Sequence, residues 1–274
     1  MDLSRVVTRS RLVKDLRTLG VQEGAVVMMH ESVRNIGWVV GGPDAVLDAV
    51  VEALGPNGTL MKLVGSEDGT YELADWPDEV RGAYLEERPA FDPATTRACR
   101  VWGILCEYLR TRQGAQRSSH PEASFAALGH RTEWLVHPHP LQHGYGPGSP
   151  LERLLEADGQ VLLLGSPLDS VTLIHHAEYS ADLPHKRSVR YRVPVSENGA
   201  RRWVEIEELD SNDGIVSWSG DDYFGLIVGE FLQAGLGRTG KVGHADAALV
   251  DARRLHDFAR AWMEREFREL AHAD

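Results

Sequence analysis

The sequence predicts an α/β fold: one compact unit with parallel strand pairing in its core and small excursions. An apolar run at 25–29, an amphipathic stretch beginning at Pro43 and a second apolar run at 59–64 follow one another as strand, helix and strand. Such a βαβ unit pairs its strands in parallel and places ligands at their carboxyl ends. Alternating apolar and polar residues about an Asn-Gly pair then predict a small antiparallel excursion, a hairpin at about 188–210.

The first elements are an amphipathic helix and a buried strand. Residues 10–19 place apolar side chains on one helical face, with Ser10 as the expected N-cap and Gly20 as the stop. The run at 25–29 is short enough for a strand that is buried on both faces. It should deliver His30 to the end of that strand.

The loop after this strand offers groups that suit an anion. Helix signals are weak over 30–42 until Pro43, which fits the first position of a helix over 43–54. Backbone N–H groups and the positive end of that helix can bind phosphate, and Ser32 and Arg34 add a hydroxyl and a cation. The loop glycines, Gly37, Gly41 and Gly42, form neither a GxGxxG motif nor a P-loop, so simple turns explain them equally well.

An acidic insertion follows at about 65–90, with a short helix expected near 77–86. Insertions of this length are lids or solvated excursions. Carboxylates and aromatic rings such as those of Glu67, Asp68 and Tyr71 suit a flexible polyamine. A solvated acidic face accounts for the same residues equally well.

A helix is predicted over 95–110, and it carries both cysteines of the chain. Cys99 and Cys106 cannot bridge without breaking this helix, and they lack the CxxC spacing of a metal or redox site. We expect both to be reduced packing residues.

An R-S-S-H-P segment comes next, where Pro121 biases His120 towards an extended backbone. The side chains of Arg117, Ser118 and Ser119 can reach a phosphate or a polar ligand arm from such a turn. Turns are also rich in serine and proline without any function.

Four histidines in the Pro-rich segment that follows raise the question of zinc. No HExxH motif or paired cysteines accompany them, so we expect no metal site. The four residues are His130, His137, His139 and His143.

A second strand-to-helix connection carries the strongest catalytic signal. A helix over 150–157 leads to a strand at 161–164, and a loop with Asp169 and Thr172 opens the next helix. On that helix His175 and Glu178 have i, i+3 spacing, so their side chains can touch. An imidazole beside a carboxylate is the minimal general base, although a capping or packing histidine fits the spacing as well.

The C-terminal part is expected to hold an acidic loop at 211–222, helices at 223–234 and 251–270, and a strand near 245–250. No repeat or linker separates these pieces. We therefore expect one domain over 1–274.

Composition excludes several classes of protein. Apolar residues make up 42% of the 274, and no apolar run approaches the roughly 20 residues that cross a bilayer. The N-terminus lacks the apolar stretch of a signal peptide, so we expect a cytoplasmic protein that does not bind membranes. A formal charge of −12 argues against nucleic acid as a partner and favours a cationic ligand.

Taken together, the motifs resemble those of the antibiotic N-acetyltransferase family, the aminoglycoside 3-N-acetyltransferases. The matching pieces run in family order along nearly the whole chain: LGVQEGAVVMMHESVRNIGWVVGG, ALGPNGTLM, AFDPAT, RSSHPEASFAALG, GPGSPLERLLEADGQVLLLGSPLDSVTLIHHAE and LPHKR. The resemblance implies a three-layer α/β/α fold with a mixed, mostly parallel central sheet, distinct from the fold of the GNAT acetyltransferases. It also implies acetyl-CoA as donor and the 3-amino group of a 2-deoxystreptamine aminoglycoside as acceptor. It therefore implies an enzyme of antibiotic resistance, and we expect a monomer or a homodimer.

The resemblance also assigns residues. The family's proposed base falls on His175 with Glu178 beside it, His30 and Ser32 match an "HxS" element, and Arg117 begins the "RSxHP" element. The expected catalytic residues are thus His175, Glu178 and His30. For acetyl-CoA the expected residues are Ser32, Val33, Arg34, Ile36, Arg117, Ser118, Ser119 and Thr172. For the aminoglycoside they are Glu67, Asp68, Tyr71, His120 and Asp169, with Asp221 and Asp222 as further candidates.

Other functions remain compatible with the residues. Some family members carry Ser-Trp-Asp where this chain has Gly65-Ser66-Glu67-Asp68, so an acyl-CoA-dependent acyltransferase acting on a different amine is one alternative. A metal-dependent amidohydrolase would use the loop histidines. A hydrolase would use Ser170 or Ser32 with His175, and a sensor would bind CoA or a polyamine without releasing a thiol.

Overall fold

The computed structural model describes residues 6–67, 73 and 76–270. Short strands and helices alternate in the first part: β1 (Val6–Val7), α1 (Arg9–Leu19), β2 (Val26–Glu31), α2 (Val33–Ile36), β3 (Trp38–Val39), α3 (Gly42–Leu54), β4 (Thr59–Leu63) and α4 (Asp78–Glu87). The middle part holds α5 (Leu105–Arg110), β5 (Gln116–Arg117), β6 (Phe125–Gly129), α6 (Thr132–Val136), α7 (Pro150–Glu156), β7 (Gln160–Leu164) and α8 (Leu173–Ser180). The last part holds β8 (Ser188–Glu197), β9 (Ala200–Leu209), α9 (Tyr223–Gln233), β10 (Arg238–Val242), β11 (Ala245–Asp251) and α10 (Ala252–Leu270).

Within the described residues, seven strands form the main sheet in the order β10-β11-β7-β2-β4-β6-β5. β2 pairs in parallel with both β7 and β4, and the outer pairings are antiparallel. The mixed α/β sheet is therefore confirmed. Five strands, β2, β4, β5, β7 and β10, run in one direction, but parallel neighbours occur only at the centre.

Helices cover both faces of this sheet, as the three-layer prediction requires. Successive residues of β2 point to opposite faces, so Met28 packs into one apolar core and Met29 into the other. The Met28 core takes residues from α7, α8, α9 and α10, and the Met29 core takes residues from α1, α3 and α5. Each fully buried aliphatic side chain contributes about 1.5–3 kcal/mol to such cores.

β2 extends further than the sequence predicted. Its pairing with β7 continues to Glu31, opposite Leu164, so His30 lies inside the strand and not at its end. By the alternation of a strand, His30 faces the Met28 side of the sheet and Glu31 the Met29 side. This arrangement places two polar side chains of one strand on opposite faces.

The predicted helix over 95–110 is wrong in its first half. Only Leu105–Arg110 is α-helical, and the backbone N–H of Cys99 donates to the carbonyl of Val64. Gly103 adopts a φ of 101°, which ends the preceding 3-10 turn. The segment instead runs along the sheet edge, where the side chain of Val101 is 80% exposed.

Smaller differences concern caps and edge strands. Thr8, and not Ser10, caps α1 by accepting from the N–H of Arg11, while Gly20 ends it as expected. β6 and β10 were not predicted, because β6 lies within the R-S-S-H-P region and the sequence of β10 is mostly polar.

The hairpin is confirmed: β8 and β9 pair antiparallel over their whole length. Asn198 and Gly199 both have positive φ, which is the geometry that a tight hairpin turn requires. In the described ranges, no helix combines the length and the apolar character that crossing a membrane requires.

Leu162 on β7 is fully buried, so Leu162→Ala should lower the free energy of unfolding by about 2–5 kcal/mol, through lost contacts and the cavity left behind. Urea unfolding followed by circular dichroism measures the change. Val40→Ala, at a side chain that is 55% exposed, is the control and should change it by less than about 0.5 kcal/mol. Equal losses in the two variants would contradict the position of Leu162 in the core.

Candidate active site

A cavity of about 670 Å³ lies at the carboxyl ends of the three central parallel strands. Its walls come from the end of β2 and the loop after it, from the end of β4, and from the segment between β7 and α8. Parallel strands deliver their following loops to one edge of the sheet, which is why residues distant in sequence meet here.

His175 lies in this cavity and bonds to Glu178 as the spacing predicted. The distance from its Nδ1 to Glu178 Oε2 is 2.9 Å, and the carboxylate is 1% exposed. Because an ionised carboxylate only accepts, Nδ1 carries the proton and Nε2 keeps its lone pair. The imidazole is therefore oriented to take a proton at Nε2.

A second donor completes the surroundings of the Glu178 carboxylate. The Tyr223 hydroxyl donates to Glu178 Oε1 from the first turn of α9. Burial, followed by the nearby Glu178 charge, raises the pKa of Tyr223, so the phenol stays protonated and remains a donor. Lys186 Nζ lies 3.0 Å from the backbone carbonyl of Glu178 and from two later carbonyls, where it caps the end of α8.

Two aromatic rings hold the imidazole of His175 in place. The Tyr145 ring stacks on it with centroids 4.8 Å apart, and the edge of Phe224 meets it at 4.7 Å. Aromatic contacts of this kind fix a ring plane that one hydrogen bond leaves free to rotate. Neither residue was predicted from the sequence, because both come from irregular or distant segments.

His30 also lines the cavity, but its environment differs. Burial, and then the charge of Lys62, lowers the pKa of His30 to about 3. Its Nε2 has no hydrogen-bond partner among the described residues. At neutral pH this imidazole is uncharged, and its affinity for a proton is low.

An ion pair that the sequence did not reveal lies beside His30. Lys62 Nζ is 2.8 Å from Glu31 Oε2, and both side chains are almost fully buried. Burial alone lowers the pKa of Lys62, but Glu31 and then Cys106 outweigh it and raise the pKa above its usual value. Lys62 therefore stays an ammonium ion in the cavity wall.

Several residues predicted for acetyl-CoA do lie at the cavity. Ser32, Val33 and Arg34 line it from the start of α2, and Thr172 lines it from the start of α8. Ile36 does not, since its side chain is fully buried in the core that contains Met29. Its apolar side chain closes the turn beneath the loop instead.

Arg117 is a structural residue in this fold. Its Nε donates to Ser124 Oγ at 2.9 Å, and its two terminal nitrogens donate to the backbone carbonyls of Thr96 and Gly65. The guanidinium also lies over the Phe91 ring. These contacts use three of the five N–H donors of the guanidinium inside the protein. The predicted contact of Arg117 with acetyl-CoA stays a prediction.

The neighbouring residues of this segment form a buried polar network. Ser118 Oγ is 2.8 Å from His139 Nδ1, and His120 Nε2 is 3.1 Å from a carboxylate oxygen of Glu208. Tyr191 donates to the same carboxylate at 2.8 Å. Ser118 and His120 are fully buried in this network, and their predicted ligand contacts stay predictions. Ser119 lines a separate surface hollow.

The acidic residues divide between two places. Glu67 pairs with Arg100 at 2.7 Å and does not line the cavity, while Asp68 and Tyr71 lie outside the described residues. Asp169, in contrast, lines both the cavity and an adjoining hollow of about 290 Å³. This acidic hollow also contains His175, and its other carboxylates are those of Asp213, Asp221 and Asp222.

The four histidines of the segment at 130–143 lie in different surroundings. His139 bonds inside the polar network and the His143 ring meets Tyr179, while His130 and His137 line the surface hollow. The described ranges contain no group of three or more ligating side chains that could hold a metal ion.

The paired His175 and Glu178 lie between the cavity and the acidic hollow of an α/β fold, an arrangement typical of enzymes that transfer protons. A sequence model of the family described as "Aminoglycoside 3-N-acetyltransferase" matches residues 28–264, and the chain belongs to this family. The resemblance inferred from the motifs is thereby confirmed.

Named relatives align along almost the full chain. Aminoglycoside N(3)-acetyltransferase III of Pseudomonas aeruginosa is 43% identical over 98% of both chains. Aminoglycoside N(3)-acetyltransferase VIII of Streptomyces fradiae is 46% identical over 94% of this chain and 92% of its own.

Solved structures with the same fold include aminoglycoside acetyltransferase AAC(3)-Xa, with a TM-score of 0.90, 44% identity, and coverage of 96% of this chain and 95% of its own. AAC-IIIb in a binary complex with CoASH has a TM-score of 0.88 at 42% identity, covering 95% and 97%. AAC-VIa bound to sisomicin has a TM-score of 0.88 at 38% identity, covering 94% and 98%.

Because Arg117 satisfies buried carbonyls, Arg117→Met should lower the free energy of unfolding by roughly 3 kcal/mol. Urea unfolding is the measurement. Arg254→Met, at an exposed position of α10, is the control and should leave stability nearly unchanged. An Arg117→Met variant as stable as wild type would contradict this structural role of the guanidinium.

Proposed function

We propose that this protein transfers an acetyl group from acetyl-CoA to the 3-amino group of a 2-deoxystreptamine aminoglycoside, and so confers resistance to it. The observation that carries the proposal is the His175–Glu178 pair, which lies where the cavity meets the acidic hollow. Acetylation turns a cationic amine into a neutral amide, and it thereby removes a charge that the antibiotic presents to its target.

The cavity suits the donor. Ser32 offers a hydroxyl, Arg34 offers a cation, and the start of α2 at Val33 offers backbone N–H groups. These groups suit the phosphates at the end of acetyl-CoA. The CoASH complex of AAC-IIIb, a relative with the same fold, supports this choice of donor. The reactive thioester would then point towards His175.

The acidic hollow suits the acceptor. Asp169, Asp213 and Asp221 line it beside His175, and the whole chain carries a formal charge of −12. Carboxylates attract ammonium groups over about a Debye length, which concentrates a polycation near the base. AAC-VIa bound to sisomicin is a relative that supports an aminoglycoside as the acceptor.

The reaction is a direct transfer. His175 Nε2 removes a proton from the acceptor's ammonium group, and Glu178 stabilises the resulting imidazolium. The free amine attacks the thioester carbonyl and forms the C–N bond, and its second proton leaves as the tetrahedral intermediate collapses. The C–S bond then breaks, and the CoA thiolate is protonated, so that the products are an amide and CoASH.

The tetrahedral oxyanion needs hydrogen-bond donors. Val33 and Arg34 begin α2, where the first backbone N–H groups have no carbonyl partner within the helix, and Thr172 adds a hydroxyl across the cavity. Preorganised donors of this kind are typically worth about 100-fold or more in rate each.

The base is His175 and not His30. His30 has a pKa of about 3, and the adjacent carboxylate of Glu31 points to the other face of the sheet. The carboxylate of Glu31 therefore does not stabilise a protonated His30 as Glu178 does for His175. The neutral ring of His30 instead contributes a polar edge to the cavity wall.

The direct test mixes the protein with acetyl-CoA, a panel of aminoglycosides and a thiol-reactive dye, and locates the acetyl group by NMR. We expect thiol release only with amines of the 2-deoxystreptamine class, with the product acetylated at the 3-amino group. Release without any amine would identify a hydrolase, and release only with unrelated amines would identify a different acyltransferase.

His175→Ala should lower turnover by roughly 100- to 10,000-fold while CoA binding is retained, because the variant loses only the proton acceptor. His176→Ala is the matched control, since His176 packs against His256 on another side of α8. Glu178→Gln should cost less than His175→Ala, because the amide still accepts from Nδ1 but does not stabilise the imidazolium charge. Near-normal turnover in folded His175→Ala would remove His175 from the mechanism.

Asp221→Asn should raise the Michaelis constant for the aminoglycoside at low salt while that for acetyl-CoA changes little. The difference from wild type should shrink as salt rises to about 0.5 M, because salt screens exposed charges. Asp246→Asn, at a side chain 90% exposed on β11, is the matched control. Equal effects of the two substitutions would place the acceptor outside the acidic hollow.

A further inference from the structure

The proposed mechanism leaves one buried histidine, His139, without a role. Its Nδ1 is 2.8 Å from Ser118 Oγ, and its Nε2 is 2.7 Å from the backbone carbonyl oxygen of Gly144. A carbonyl only accepts, so Nε2 carries the proton and Nδ1 accepts from the Ser118 hydroxyl. Burial, and then the nearby His120, lowers the pKa of His139 to about 3, so the ring is neutral at neutral pH. Both ring nitrogens are therefore used inside the protein, and the ring has one fixed orientation.

This chain of hydrogen bonds connects the main sheet to the segment that carries Tyr145. Ser118 Oγ accepts from the backbone N–H of Phe125 on β6 at 2.9 Å, and His139 extends the chain to the carbonyl of Gly144. The rings of Phe125 and Tyr145 also meet nearly at right angles, with centroids 6.4 Å apart. Tyr145 is therefore held relative to the sheet and not only by its own loop.

The residues on either side of Tyr145 are glycines that lie directly against aromatic rings. A Cβ on Gly144 would come within 2.6 Å of Nε2 of His120, and a Cβ on Gly146 within 2.9 Å of the ring of Tyr179. Glycine is required at both positions by this close approach, since no larger residue fits. The backbone at Tyr145 thus has little freedom to move, and its ring is presented in one direction.

The face of the Tyr145 ring lies on the imidazole of His175. The two centroids are 4.8 Å apart and the planes differ by 20°. A cation within about 6 Å of an aromatic centroid is attracted to the electrons of the ring face, and more strongly where water is excluded. The His175 side chain is 18% exposed. The imidazolium that forms when His175 takes up a proton thus meets Glu178 at its edge and an aromatic face on one side.

We propose that Tyr145 stabilises the imidazolium form of His175 through its ring face, and that His139 holds Tyr145 in the position where it does so. Both are positioning residues, because each acts through His175 and neither reacts with the substrate. Both assignments rest on the proposed function. The proton that His175 takes from the acceptor is then stabilised by two groups, the carboxylate of Glu178 and the aromatic face of Tyr145.

Other charged groups also affect how readily His175 takes up a proton. In the described ranges, the titratable groups that line the cavity or the acidic hollow with it are the four carboxylates of that hollow and His30, Glu31, Arg34, Lys62 and Tyr223. None of these groups changes when the ring at position 145 is replaced by another ring of the same shape. Such replacements therefore separate the effect of the ring face from that of the surrounding charges.

The experiment replaces Tyr145 by Phe, by Leu and by phenylalanines that carry successive ring fluorines, and it measures turnover against pH. Fluorine withdraws electrons from the ring face but hardly changes its shape, so the imidazolium becomes less stable with each fluorine. A less stable imidazolium forms only at lower pH, so the pH of half-maximal turnover on the acidic limb should fall stepwise. Tyr145→Leu should lower it by about 0.5–1 pH unit and lower the maximal turnover by about tenfold. Tyr145→Phe keeps the ring and should restore the wild-type profile.

Trp134→Leu is the matched control for the loss of an aromatic ring beside a cation. The guanidinium of Arg131 lies 5.7 Å from the centroid of the Trp134 ring, and this pair lies at the surface hollow, away from His175. Turnover and its pH dependence should be those of wild type in this variant.

A double-mutant cycle tests the role of His139. His139→Leu should lower turnover and shift the pH of half-maximal turnover as Tyr145→Leu does, and the double variant should be no worse than either single one, because both remove the same contact. His139→Gln keeps an N–H donor for the carbonyl of Gly144 and should recover part of the loss. His130→Leu, at another histidine of the same segment that lines the surface hollow, is the control and should behave as wild type.

Two results would overturn the role of Tyr145: a pH of half-maximal turnover that does not depend on the fluorines, or one that is unchanged in folded Tyr145→Leu. Additive losses in the double variant, or no recovery in His139→Gln, would remove His139 from its role. The fluorinated variants keep the shape of the core, so they decide the first question even if His139→Leu does not fold. If wild type acetylates no aminoglycoside, the proposed function fails and takes both assignments with it. Normal acetylation with unresponsive variants removes only the assignments.

Discussion

The hydrogen bonds of the buried Glu178 carboxylate are the interaction on which the rest of the site depends. A carboxylate this inaccessible needs hydrogen-bond donors around it, and here they are the imidazole of His175 and the hydroxyl of Tyr223. The two donors come from α8 and α9, so the carboxylate ties these helices together while it sets the tautomer of the imidazole. Lys186 fixes the end of α8 from the following loop. Orientation of the His175 imidazole and packing of the two helices thus have one cause.

The polar network behind the cavity has a comparable role. Ser118, His139 and His120 connect the strand segment at 116–129 to the loop that carries Tyr145, and Glu208 with Tyr191 connects both to the hairpin. Burial, and then the charge of Glu208, raises the pKa of Tyr191, so its hydroxyl remains a donor. The hairpin is therefore part of the support for the Tyr145 ring that stacks on His175. Burial also lowers the pKa of His139 to about 3, and a neutral ring in this network avoids an unpaired charge.

The cavity and the acidic hollow are two different electrostatic environments. The wall of the cavity contains the ion pair of Glu31 and Lys62, whereas the hollow is lined by carboxylates. His175 lines both the acidic hollow and the cavity.

Local periodicity determined much of this protein. The helix at 43–54, the strands at 59–64 and 161–164 and the hairpin about Asn198 were all predictable, because each depends on residues close together in sequence. The contact of His175 with Glu178 was predictable for the same reason, since one helical turn joins them. The helix expected at 95–110 failed because Gly103 and the hydrogen bond of Cys99 to Val64 override helical propensity. Only the tertiary structure decided that Arg117 serves buried carbonyls, that Lys62 meets Glu31, and that Tyr145 and Tyr223 surround the pair on α8. These contacts join strands, helices and loops that are far apart in sequence, and the order of strands in the sheet, which no local pattern encodes, brings them together.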